Sequence, residues 1–355
     1  MFVEVLKKGK PGRLSIEKQE KIYAFYQRTG ASLDSSVRDE KVTKLARTIL
    51  MGPHNQAYVC MDHEEEGDHL INEGSFKKVY HAVGLHDGGH YAVGKCDVKR
   101  TATNTGISSS SIKKVCEREK NICKTLYGLR GIVSTRLVAE IANTFFFVMD
   151  FYEGGDLFDL IDRMVTKNAF MPLGMRVNLG LELLAGLVAM HERGIYHRDL
   201  KLENVFLDKE GHGVLGDFGL AHRTGDSYYT DHTGTSDYYA PELIRGQIPG
   251  TKTDVWAFGM VFYTLVTLNH FPWQNTKNDF HLITQMIPQN PAWKPNFYKM
   301  EESLPPSQQV ALEELISKML RVNPAERIDS RDALARLQEI LAPMRLEKTE
   351  MKQKH

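Results

Sequence analysis

"YHRDLKLENVFLDKEGHGVLGDFGLA", Tyr196 to Ala221, is the stretch whose reading decides the fold. Short apolar runs around "HRDLKLENVFL" and "GVLGDFG" read as strands, so the polar residues between them sit in turns held by a scaffold. Those polar residues form a set. Asp199 can orient a hydroxyl and accept its proton, and Lys201 can neutralise a moving phosphoryl group. Asn204 and Asp217 are oxygen ligands of the hard type that Mg²⁺ requires.

Downstream of this stretch, the chain is mostly helical. "VWAFGMVFYTLVTL", Val255 to Leu268, is apolar all round, and so is "MRVNLGLELLAGLVAMHERG" upstream of it. Both read as buried helices. The longest apolar stretch, 255–268, is too short to cross a bilayer. From about Asp68 to Asp150 the pattern is strand-rich: "HLINEGSF", "KVYHAVGL", "HYAVGKCDV", one helix, then two strands ending at "TFFFVMD". The helix is "SSSSIKKVCEREKNICKTLYG", opened by serines and closed by Gly128. Residues 1–54 read as a separate helical extension. In it Ser36 and Asp39 form a capping box, Val42, Leu45, Ala46, Ile49 and Leu50 share a face, and Gly52-Pro53 is the stop. A small sheet-rich lobe, a glycine-containing hinge and a larger helical lobe follow, an α+β fold in two parts.

Lys+Arg and Asp+Glu both total 45 in 355 residues, so no global field recruits nucleic acid or an anionic membrane. Cys60, Cys96, Cys116 and Cys123 are too few and too irregular for a disulfide framework or a zinc site. A reducing, cytoplasmic location is the inference, with no apolar leader at Met1.

The chain is identified, by ordered motifs over about residues 65 to 340, as resembling the eukaryotic-type protein kinases. Besides the opening stretch, the motifs are the hinge "VMDFYEGGDL", the segment end "GTSDYYAPE", the helix start "DVWAFG" and the late "NPAER". The resemblance implies a kinase domain at 65–341, with lobes 65–150 and 151–341, and a polar tail at 342–355. It also implies ATP and Mg²⁺ as cofactors and a protein hydroxyl as acceptor. Lys95 resembles the strand lysine that reaches the phosphates, and Glu119 its partner on the following helix. Glu117, two residues earlier, falls on another face. Val79 and Ala92 fall at nucleotide-binding positions, Met149 at the gatekeeper, Asp150 and Tyr152 at the backbone adenine contacts, and Asp156 at a ribose or substrate contact. Glu242 and Arg327 resemble a buried ion pair that braces the segment before it.

The phosphate-covering loop departs from the pattern. Its three glycine positions hold Asn72, Gly74 and Lys77. Asn72 tolerates φ > 0 and can keep its turn, whereas Lys77 brings a side chain that restricts the loop and an ammonium that can itself reach phosphate. Arg198 beside Asp199 belongs to the type that waits for a phosphate, helped by His222 or Arg223. The segment after it offers Ser227, Tyr228, Tyr229, Thr230 and Thr233, with the carboxylate of Asp231 at the usual phosphothreonine position. Lys201 and Thr235 point to serine/threonine specificity. Asp156 and Glu203 suit a substrate with basic residues before its acceptor. A catalytically silent scaffold acting through its N-terminal helices is the alternative. The altered loop favours it; the retained Lys95, Asp199, Asn204 and Asp217 oppose it. A kinase of small molecules or lipids is disfavoured, because "GTSDYYAPE" resembles a surface on which a peptide lies.

Overall fold

A computed structural model describes residues 3–5, 48–52, 56–60, 70–84, 87–166, 171–226, 236–268, 295, 297 and 304–353. The chain divides into two compact units. Unit one comprises residues 1–127 and 134–151, and unit two residues 128–133 and 152–355.

Unit one is built on an antiparallel sheet that has eight strands among the described residues. They are β1 (Val3–Val5), β2 (Thr48–Met51), β3 (Ala57–Cys60), β4 (Leu70–Glu73), β5 (Lys78–Gly84), β6 (His90–Asp97), β7 (Thr135–Ile141) and β8 (Thr144–Asp150). The order is β1-β2-β3-β5-β6-β8-β7, with β4 paired to the other half of β5 from β3. Two helices follow β6, α1 (Val98–Thr105) and α2 (Ser109–Leu126). Asp97 caps α1 by accepting from the amides of Lys99 and Arg100, and Ser108 caps α2 by accepting from Ser111. The sequence reading anticipated α2 and missed α1. Ile112, Cys116, Glu119, Ile122, Cys123 and Leu126 recur at helical spacing and are buried, so one acid, Glu119, lies within an apolar stripe.

The helix expected to run through Ile49 and Leu50 is not there. Thr48–Met51 is a strand, paired on one side with β1 and on the other with β3. Leu50 and Tyr58 join Tyr80, Ala82, Tyr91, Val93, Phe146 and Val148 in one buried cluster. Sheet packing therefore outweighs the helical spacing that the local sequence suggests. Residues 36–47 lie outside the described residues.

Unit two contains α3 (Leu157–Thr166), α4 (Leu173–His191), α5 (Pro241–Ile244), α6 (Thr251–Thr267), α7 (Pro306–Met319) and α8 (Ser330–Gln353). A strand β9 (Gly155–Asp156) pairs with β11 (Val205–Leu207), which pairs with β12 (Gly213–Leu215); β10 (Ile195–Tyr196) pairs with β13 (His222–Arg223). The helix α6 is buried continuously from Thr253 to Thr267, as its all-round apolar sequence requires. It lies close against α4 at Gly180, where a Cβ would stand 2.3 Å from the Phe262 ring. Arg176 on α4 is also buried, and its guanidinium donates to the carbonyls of Leu265 (2.8 Å) and Val266 (2.9 Å). Those are orphan acceptors at the end of α6, so a cation there satisfies both hydrogen bonding and the helix dipole. The helix α4 is long and apolar enough to cross a bilayer by composition, yet 67% of it is buried within the protein, as a core helix would be. The tail boundary drawn at residue 342 falls inside α8.

Candidate active site

The expected residues fall into two groups, one in each unit. In unit one the register decides which side chains share a face. Along β6, Tyr91, Val93 and Lys95 alternate with Ala92, Gly94 and Cys96. Tyr91 and Val93 join the cluster that contains Leu50 and Tyr58. Lys95 follows them, its Nζ lying 6.0 Å from the centroid of Phe146, a member of the same cluster. The opposite face carries Ala92, paired in register with Met149, then Gly94 paired with Phe147, then Cys96. The Cys96 thiol interacts with the Cys116 thiol, which ties this second face to α2. That interaction, above all, holds the Cys96 thiol below its usual pKa and pushes Cys116 up.

Glu119 therefore meets a different lysine from the expected one. Lys77 Nζ lies 2.5 Å from Glu119 Oε1, with the two side chains 15% and 6% exposed. The register pairs Lys78 with Lys95 and Val79 with Gly94, and one further step sets Lys77 across from Cys96, on the α2 face. The Lys77 stem runs over Gly94, where an added Cβ would lie 3.6 Å from Lys77 Cδ, and its ammonium lies 5.3 Å from the Phe147 centroid. The expected Lys95–Glu119 pairing is corrected on this ground: strand alternation sends Lys95 to the other side of the sheet. Glu117, as expected, lies on another face of α2, bonded to Lys120 at 3.0 Å.

The loop itself closes with one glycine. The Gly74 amide donates to the Lys77 carbonyl at 2.9 Å. Asn72 makes no left-handed turn; it lies in β4, paired with Val79. At the far end of the sheet, the Asp150 carboxylate is gripped by Arg136 at 2.5 and 3.2 Å, and its amide donates to the Ser134 carbonyl.

In unit two the opening stretch folds around one buried acid, Asp254, in the first turn of α6. Its Oδ2 accepts from the amide of His197 (2.7 Å) and the ring of His191 (3.0 Å), and its Oδ1 from the amide of Arg198 (2.9 Å). These bonds hold Arg198 at φ 69°, left-handed for a residue with a side chain. The next residue, Asp199, is thereby aimed. Asn204 Nδ2 donates to Asp199 O (2.8 Å) and Oδ2 (3.0 Å), and Lys201 Nζ lies 3.3 Å from the same Oδ2. The Gly216 amide donates to Asn204 O, linking the stretch to Asp217, whose φ is also left-handed at 57°. Asp217 Oδ1 accepts from the Gly219 amide at 3.3 Å. His197, fully buried, bonds the Gly216 carbonyl at 2.9 Å and sets its ring edge-on to Phe218.

Arg198 donates to the buried ring of His222 at 2.7 Å. The same Nδ1 of His222 lies 3.0 Å from the Leu220 carbonyl. Thr230, Asp231 and Thr233 lie outside the described residues. Asp156 Oδ1 accepts from the Asp159 amide at the start of α3, and burial, above all, raises its carboxyl pKa. Tyr152 stacks on Phe206 at 6.3 Å. The Glu242–Arg327 pair is present as a buried fork, 2.6 and 2.8 Å, with Arg327 also donating to the carbonyls of Lys252 and Arg321.

Asp254, His191 and His197 were missed in the sequence. A signal existed for the first: "TKTDVWAFG" places one acid at the start of an otherwise apolar helix. For Lys77 the signal was the period of two, which separates Lys95 from Ala92.

Comparison with known proteins agrees with this arrangement. The protein kinase domain family matches residues 66–337. The chain is 30% identical over 260 residues to serine/threonine-protein kinase Nek1 of Mus musculus, covering 72% of this chain and 20% of that protein. It is 30% identical over 271 residues to CBL-interacting serine/threonine-protein kinase 16 of Arabidopsis thaliana, covering 73% and 53%. It is 30% identical over 277 residues to serine/threonine-protein kinase cds1 of Schizosaccharomyces pombe, covering 74% and 56%. The chain thus spans about half or less of the length of these relatives. The match over most of the chain shows that the chain belongs to the protein kinase family.

Proposed function

We propose that the chain is catalytically active, transferring the γ-phosphoryl group of ATP to a serine or threonine hydroxyl of a protein. The observation that carries this reading is the cluster around Asp199. Its Oδ2 is held by Asn204 at 3.0 Å and by Lys201 at 3.3 Å. Asp199 accepts the hydroxyl proton, the substrate oxygen forms the new bond to the γ-phosphorus, and the bond to the β-phosphate oxygen breaks, ADP leaving with the electron pair. Lys201 offsets negative charge on the transferred group. The other parts are positioning devices, which is where phosphoryl transfer gains most of its rate.

The donor set suits Mg²⁺. Asn204 spends its amide on Asp199, leaving Oδ1 as its ligand atom, and Asp217 adds a carboxylate. A magnesium ion takes one or two protein oxygens and completes its shell with phosphate and water, and when bound it neutralises charge on the phosphates.

A peptide with basic residues before the acceptor fits the carboxylates of Asp156 and Glu203. Glu203 Oε2 is buried without a hydrogen-bond partner, and a guanidinium would satisfy it. The test is phosphate incorporation into a peptide library by the wild-type chain and by Asp199→Asn. Transfer to serine or threonine peptides that Asp199→Asn loses supports the reading. A folded wild type that transfers none, or an equally active Asp199→Asn, overturns it.

A further inference from the structure

Two lysines in unit one compete for one task, holding the phosphates of the nucleotide. We infer that Lys77, in the loop before β5, is the phosphate-anchoring lysine of this kinase, and that Lys95 on β6 lies outside the catalytic machinery. The inference rests on the ATP-dependent reading above and reassigns one of its residues.

Three independent observations carry it. Glu119 is the acid buried in the apolar stripe of α2, and it holds the Lys77 ammonium at 2.5 Å. A buried carboxylate bonded to an ammonium fixes that ammonium in place. Next, the face bearing Lys77 also bears Val79, Ala92, Gly94 and Met149, the small and apolar set on which a flat base could lie. Lys95 is on the other face, which is filled by Tyr58, Tyr80, Tyr91 and Val93. Lastly, the sequence compensates locally. Gly94 has no side chain where the Lys77 stem passes, a Cβ added there standing 3.6 Å from Lys77 Cδ, and the residue across from Lys77, Cys96, is not a cation. A second cation at position 96 would repel the first.

The loop's departure from three glycines then has a function. Position 77 gives up the freedom of glycine and takes over a cation. Turn closure by Gly74 and Lys77 seats that cation at the start of β5.

The test is equilibrium binding of Mg-ATP and of adenosine to the full chain and to Lys77→Met, Lys95→Met and Lys77→Gly, with turnover measured beside it. Lys77→Met and Lys77→Gly should weaken ATP by about 10- to 100-fold, the worth of one charge-assisted hydrogen bond, and leave adenosine unchanged. Lys95→Met should bind both ligands and turn over within about twofold of wild type, because a substitution far from the ligand has little effect. If Lys77→Met unfolds, Lys77→Gln, which still donates to Glu119, carries the same expectation. Loss of ATP affinity in Lys95→Met with wild-type affinity in Lys77→Met overturns the assignment and spares the activity. A wild type that binds ATP through Lys77 but transfers no phosphate overturns the activity and supports the assignment. A wild type that binds no ATP overturns both.

Discussion

Replacing Asp254 by asparagine should disable the chain at a distance from the reacting atoms. Asp254 is 1% exposed and accepts three hydrogen bonds, two of them from the consecutive amides of His197 and Arg198. Each charge-assisted bond is worth about 1.5–3 kcal/mol, so the two amides gain roughly 3–6 kcal/mol from the carboxylate. Holding Arg198 at φ 69° costs of order 1–3 kcal/mol. The carboxylate therefore outweighs the strain, but with little to spare. An asparagine presents one oxygen and one NH₂, and the NH₂ must face an N–H donor. One bond is lost, the other loses its charge, and a net cost of about 2–4 kcal/mol follows. For a unit of this size that is a fall in melting temperature of roughly 4–16 °C. Once Arg198 relaxes, Asp199 shifts, and a displacement of about 1 Å costs on the order of 10² in rate. Calorimetry gives the first quantity, and peptide phosphorylation at a temperature where both proteins are folded gives the second. The Michaelis constant for ATP should change little while kcat falls. An Asp254→Asn protein that melts and turns over like wild type would refute the reasoning, by showing that the catalytic stretch keeps its shape without the carboxylate.

Asp217→Ala should lower transfer by at least about 10² while leaving the melting temperature close to wild type, since it removes the proposed Mg²⁺ ligand from the surface of unit two. Arg327→Met should destabilise by about 3–5 kcal/mol in urea, because it strands the Glu242 carboxylate; adding Glu242→Gln should recover a good part of that. His212 lies 2.8 Å from Glu182, which raises its pKa above the ordinary value. The stabilisation from this pair is full below the unfolded pKa of about 6.5 and is lost as pH rises through the folded value. An NMR titration of wild type against Glu182→Gln should show the His212 pKa falling in the variant, and an unchanged value would remove the pair.

Part of the candidate site was legible before any folding was considered. Asp199, Lys201 and Asn204 lie within one short stretch, so local turn geometry brings their side chains into contact. The all-round apolar 255–268 run likewise announced a buried helix, because its burial is a property of its own composition. The same local reading failed where the outcome depends on a partner distant in sequence. Ile49 and Leu50 carry helical spacing, yet they form a strand because β1 and β3 lie on either side of it. Nothing in "TDVWAFG" says that its aspartate will accept from amides more than fifty residues upstream; α6 has to be buried beside the catalytic stretch before that carboxylate has donors. The two lysines make the same point at smaller scale. Alternation along β6 could be counted from the sequence, and it separates Lys95 from Ala92, Gly94 and Cys96. Which of those faces receives α2, and hence which lysine meets Glu119, depends on how the sheet is covered on each side. The strands from the first sixty residues bury the Tyr91 and Val93 face, and α2 takes the other, so tertiary packing assigned the buried carboxylate to Lys77.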